Sequence, residues 1–116
     1  MPKQHPPFTI RSKVWIVDEK GEVVFGLGRY HMLDTIQKTG SLNAAAKTLK
    51  MSYRAVWMRI RTSEERLGKT LVERNGKGSC LTPFAQQLMT DFERLQNQIN
   101  ANSDAHFEKT MSKSLK

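Results

Sequence analysis

Residues Ser41–Ile60 read "SLNAAAKTLKMSYRAVWMRI", and the fold turns on how they are parsed. Ser41 is placed to cap a helix, because its hydroxyl can accept a free first-turn N–H. "LNAAAKTL" follows. Its alanines lose little entropy in a helix and let a neighbouring helix approach closely. Lys50-Met51 interrupts, and Ser52 is placed to cap a second helix that runs to about Leu67 and stops at Gly68. Two helices across so tight a turn form a helix-turn-helix pattern. Ala45 and Ala46 face the partner helix, Leu49 and Met51 cover the turn, and Val56, Ile60 and Leu67 point inward. Side chains three and four apart share a helix face, so Tyr53, Arg54, Trp57, Met58 and Arg61 fall on the outer or flanking faces.

That outer face is unusual. Lys50–Arg61 contains three arginines, a lysine, a tyrosine and a tryptophan, and no acid. In helix-turn-helix motifs the second helix enters the DNA major groove with its N-terminal part over base edges. Arg54 stands at that end and can donate two hydrogen bonds to guanine O6 and N7. Ser52, Tyr53 and the free N–H groups of the helix start suit phosphates. Lys47, Lys50 and Arg61 are in reach of the backbone. Trp57 has two readings that sequence leaves open: packing against the wing or a neighbouring helix, or lying against sugar–phosphate or a thymine methyl. Arg59, nearer the inward edge, is expected to pair with Glu64, Glu65 or Glu73. Arg66 is expected to be solvated or paired. Lys50 occupies a turn position that tends to need positive φ, at a cost of about 1 kcal/mol for a non-glycine residue.

Working outward, residues 1–7 hold three prolines and read as a disordered start. "FTIRSKVWIVDEKGEVVFG" reads as a hairpin with strands near Phe8–Val17 and Glu22–Phe25 and a turn at Lys20-Gly21. A helix over "GRYHMLDTIQKTG" carries Met32, Leu33 and Ile36 at helical spacing and closes at Gly40. Beyond the motif, two short strands near Leu71–Arg74 and Ser79–Leu81 flank "NGKG", a wing whose Asn75-Gly76 pair signals a tight turn. Lys77 at its tip and Arg74 beside it are further candidates for phosphate or minor-groove contact. Thr82-Pro83 starts a helix expected over 83–100. Its stripe of Phe84, Leu88, Phe92, Leu95 and Ile99 exceeds what so small a domain can cover, which points to a dimer seam. Residues 101–116 read as a flexible tail.

The 116 residues suit one domain, here 8–100. The fold expected is mainly α with small β elements: a winged helix-turn-helix with an N-terminal β-hairpin and a long C-terminal dimerisation helix. Net charge is +8, and residues 41–80 carry nine Lys/Arg against three Asp/Glu. A positive field concentrated there favours a polyanionic partner, double-stranded DNA, through counterion release. No apolar run is long enough for a membrane span, and no secretion signal is evident. The single Cys80 and the scattered His5, His31 and His106 form no disulfide or metal motif. A reducing cytoplasm is therefore expected. With no nucleophile–base pair, phosphate loop or paired carboxylates, neither enzymatic activity nor a cofactor is expected. The rival reading is a winged-helix protein–protein interaction module without specific DNA binding. RNA is disfavoured because the aromatics sit on a helix rather than on a sheet platform.

"SLNAAAKTLKMSYRAVWMRIRTSEERLGKTLVERNGKGSCLT" resembles the winged helix-turn-helix of LysR-type regulators. With "VWIVDEKGEVVFGLGR" ahead of it and "SYRAVW" within, it more closely resembles the N-terminal domain of molybdate-responsive ModE-type regulators. The resemblance covers about Val14 to Ile99. It implies a bacterial, nucleoid-associated transcriptional regulator that binds an inverted-repeat operator as a homodimer through its last helix, with a link to molybdate or metal metabolism. The residues after Ile99 are too few and too polar to form the molybdate-binding module of such regulators. No small-molecule site is therefore expected in this chain.

Overall fold

The computed structural model describes residues 7–115. All but residue 7 of the start expected to be disordered lies outside them. Two short strands, β1 (Trp15–Val17) and β2 (Val23–Gly26), lead into α1 (Leu27–Thr39), α2 (Leu42–Leu49) and α3 (Tyr53–Leu67). A wing of β3 (Val72–Asn75) and β4 (Gly78–Leu81) follows, and α4 (Pro83–Met111) completes a winged helix-turn-helix.

The helix boundaries follow local chemistry. Ser41 accepts the Ala44 N–H, Ser52 the Ala55 N–H and Thr82 the Ala85 N–H, so each helix after α1 has the side-chain cap expected. Gly40 and Gly68 close α1 and α3 in the left-handed region. Lys50 closes α2 there too, at φ 56, the only positive-φ residue other than glycine among the described residues. The helix-turn-helix thus keeps its turn shape and carries the strain of a lysine in it. The Met51 N–H bonds back to the Ala46 carbonyl at 2.9 Å.

One core takes buried residues from every element except β1 and β3, and Val72 of β3 packs against it. Phe25 of β2 meets Phe92 of α4 edge to face at 5.2 Å. Around them lie Leu33 and Ile36 of α1, Ala45 and Ala46 of α2, Val56 and Ile60 of α3, and Leu71, Leu81, Ala85 and Met89. Each large apolar side chain fully buried in this way contributes about 1.5–3 kcal/mol. The hairpin is therefore scaffold: Phe25 and Val24 are buried, and Arg66 of α3 pairs with Glu22 at 3.1 Å and donates to the Val23 carbonyl.

Three expectations change. The first strand is three residues long, not ten. Its partner ends at Gly26, which pairs with Trp15, and the chain turns helical at Leu27, so residues 8–14 have no strand to pair with. The Ser12 hydroxyl instead donates to Asn100 on α4. The last helix continues past residue 100 to Met111, through a stretch with no glycine or proline to stop it. Phe92 belongs to the chain's own core, and Phe84 and Leu88 pack against that core. Of the expected stripe, Leu95 is left exposed and Ile99 half-buried; Phe107, half-buried, and Met111, exposed, add apolar surface further along α4.

Candidate nucleic-acid interface

The motif places α3 across α2, with Val56 and Ile60 inward and Tyr53, Arg54, Trp57, Met58 and Arg61 outward. The wing stands beside it. The carbonyl of Gly40 accepts the Ser79 N–H at 2.8 Å, which pins the wing against the start of α2. Gly78 is required at this approach: a Cβ there would lie 2.3 Å from the Gly40 carbonyl oxygen. Between α2, α3 and the wing lies an open groove of about 290 Å³. Ser41, the N-cap of α2, and Asn43 within it line one side, Tyr53, Trp57 and Arg61 line it from α3, and Arg74 and Lys77 from the wing.

A buried carboxylate holds this geometry. Glu64 Oε2 accepts the N–H groups of Leu71 and Val72 at 2.7 and 3.2 Å, tying the end of α3 to the start of the wing. Its Oε1 accepts from Arg61 at 3.2 Å. The Arg61 guanidinium in turn lies 5.4 Å from the centroid of the Trp57 ring. A cation over an indole face is attracted by the ring quadrupole. Wing, Glu64, Arg61 and Trp57 therefore form one connected chain of contacts leading to the outer face.

The sequence-predicted residues divide accordingly. Tyr53, Trp57, Arg61, Arg74 and Lys77 converge on the groove. Arg54 and Met58 join Tyr53 and Trp57 around a second, shallow pocket on the outer face. Ser52 is exposed, with its hydroxyl engaged as the cap. Lys47 and Lys50 are exposed and line neither depression. Arg61 donates to Glu64 and lies over Trp57, while its side chain stays largely exposed. It also takes Glu64, one of the three partners, with Glu65 and Glu73, expected for Arg59: residues 61 and 64 are three apart on one helix face. Trp57 resolves to the outer face, beside Arg61.

Two contributors escaped sequence reading. Ser41 and Asn43 reach the groove only because the distant wing folds against α2. Arg29 of α1 donates to the buried Ser63 hydroxyl at 3.2 Å. Burial, with the like charges of Arg59 and Arg66 nearby, lowers its pKa from the ordinary arginine value. That arginine cluster sits on the scaffold flank of α3. Among the described residues no group of His, Cys, Asp and Glu could hold a metal ion, and no helix is long and apolar enough to cross a membrane.

A sequence profile described as "Bacterial regulatory helix-turn-helix protein, lysR family" matches residues 27–86, just over half the chain. Transcriptional regulator ModE of Haemophilus influenzae is 34% identical over 73 residues, 59% of this chain and 29% of that protein. Molybdenum transport protein ModE of Herbaspirillum seropedicae is 35% identical over 72 residues, 58% of this chain and 27% of that protein. The chain thus spans under a third of these curated relatives. In fold it is similar to the CbnR DBD of a crystallised DNA complex, with a TM-score of 0.55 at 24% identity over 67% of this chain and 90% of that one.

Proposed function

The chain belongs to the bacterial regulatory helix-turn-helix proteins of the lysR family, and on that premise we propose that it acts as a homodimeric, sequence-specific transcriptional regulator on an inverted-repeat operator. The observation that carries the proposal is the convergence of Arg61, Arg74 and Lys77 on the groove between recognition helix and wing, with Arg54 exposed at the helix start. Arg54 reads a base edge, the wing cations hold phosphates, and the free N–H groups of the α3 start add a phosphate contact. The fold it shares with a domain crystallised on DNA supports this reading over a protein-only module. The role is regulatory and non-enzymatic, in the cytoplasm. Its similarity to the two ModE proteins supports a link to molybdate or metal metabolism.

Dimerisation is assigned to α4. It is 29 residues long, about 43 Å, and projects far beyond the core with Leu95 exposed. Selection of bound sites from random DNA tests the proposal. The expected product is an inverted repeat whose half-sites lie about 34–36 Å apart, or a multiple of that. No enrichment would overturn the regulator reading, and enrichment of isolated half-sites would overturn the dimer.

A further inference from the structure

Three large apolar side chains stand exposed together at the start of α3: Tyr53 at 50%, Trp57 at 40% and Met58 at 47%. With Arg54 they line the shallow pocket on the outer face. Such a cluster is out of place on a helix that only meets phosphates and polar base edges, because neither rewards apolar contact. The major groove presents one apolar group to a side chain, the C5 methyl of thymine. Resting on the DNA-binding reading above, we propose that this pocket seats a thymine methyl and makes Trp57 and Met58 specificity-determining residues.

The geometry fixes where that thymine lies. Arg54 and Met58 are one helical turn apart, about 6 Å along the axis. Base pairs are stacked about 3.4 Å apart. The methyl therefore falls within about two base pairs of the guanine that Arg54 contacts. Arg61, which Glu64 holds, lies 5.4 Å from the centroid of the Trp57 ring and steadies the indole. The cluster thus discriminates thymine from cytosine through apolar contact with the methyl, which cytosine lacks.

Replacing thymine by deoxyuridine removes only the methyl, so it isolates this contact. Sites selected from random DNA are resynthesised with one deoxyuridine at a time, and affinity is measured. At one or two positions next to the Arg54 guanine the protein should bind roughly fourfold more weakly, the effect of one buried methyl. Met58→Ala and Trp57→Ala, confirmed folded by helical circular dichroism, should shrink that penalty to within twofold. Wild-type binding indifferent to deoxyuridine at every position, with selective binding intact, overturns this inference alone and puts the cluster against sugar or a protein. Loss of selective binding to any DNA overturns the regulator reading beneath it.

Discussion

The buried carboxylate of Glu64 accepts the backbone N–H of Leu71 at 2.7 Å. It is the joint between recognition helix and wing, and it also sets Arg61 over Trp57. Glu64→Ala leaves the Leu71 and Val72 N–H groups without their acceptor and should cost about 1–3 kcal/mol. Glu64→Gln, which keeps one carbonyl acceptor, should cost less. Urea unfolding measures both, and amide exchange at Leu71 should accelerate in the alanine variant. An unchanged urea midpoint for Glu64→Ala would remove this joint from the account.

Lys50 closes α2 at φ 56. An L-residue there is strained, whereas glycine is not, although glycine gives back some of the gain through unfolded-chain entropy. Lys50→Gly should therefore stabilise the domain by about 0.5–1 kcal/mol. Lys50→Val should destabilise it, since a β-branched residue tolerates positive φ worst. Thermal melting checks both signs, and a lower midpoint for the glycine variant would contradict the strain argument.

Gly78 faces the Gly40 carbonyl so closely that any Cβ must displace backbone. Gly78→Ala should cost about 1–3 kcal/mol as an overpacked contact and shift the wing away from α2. Because Arg74 and Lys77 ride on that wing, DNA affinity should fall while the hydrophobic core stays intact. The check is amide exchange at Ser79, whose N–H bonds to Gly40; retained protection there would mean the wing absorbs the methyl.

Arg54 and Lys77 separate base reading from charge. Arg54→Ala should relax preference at one base pair, losing about 1–3 kcal/mol on the preferred sequence and little on random DNA. Lys77→Ala should weaken all sequences alike and make the salt dependence shallower by about one phosphate. Titrations at several salt concentrations on both kinds of DNA discriminate the two. Equal losses on specific and random DNA for Arg54→Ala would refute its base-reading role.

Much of the fold was legible in the sequence because its signals are local. Ser41, Ser52 and Thr82-Pro83 announce helix starts through hydrogen bonds only three residues long, and Gly40 and Gly68 announce the ends. Val56 and Ile60, four apart, fix which face of α3 turns outward. Asn75-Gly76 marks the wing turn, and Lys50 marks the strained one. The first strand misled, since β-branched and aromatic residues at 8–14 carry strand propensity without a strand to pair with; propensity cannot see that the partner has turned helical at Leu27.

The sequence by itself therefore determined the helix-turn-helix, its register and the basic outer face, all of them products of short-range capping and helical periodicity. Tertiary structure alone decided which side Trp57 takes, which arginine Glu64 holds, that Phe92 fills the core beneath Phe25, and that Ser41 and Asn43 share a groove with Lys77. Two of these four join residues distant in the chain, Phe25 with Phe92 and Ser41 and Asn43 with Lys77, as does the hydrogen bond from Ser79 to Gly40. Those partners are set by how the elements pack, which no local pattern encodes. Even the Arg61–Glu64 pair, only three residues apart, is steadied by the wing amides of Leu71 and Val72 that fold onto the same carboxylate.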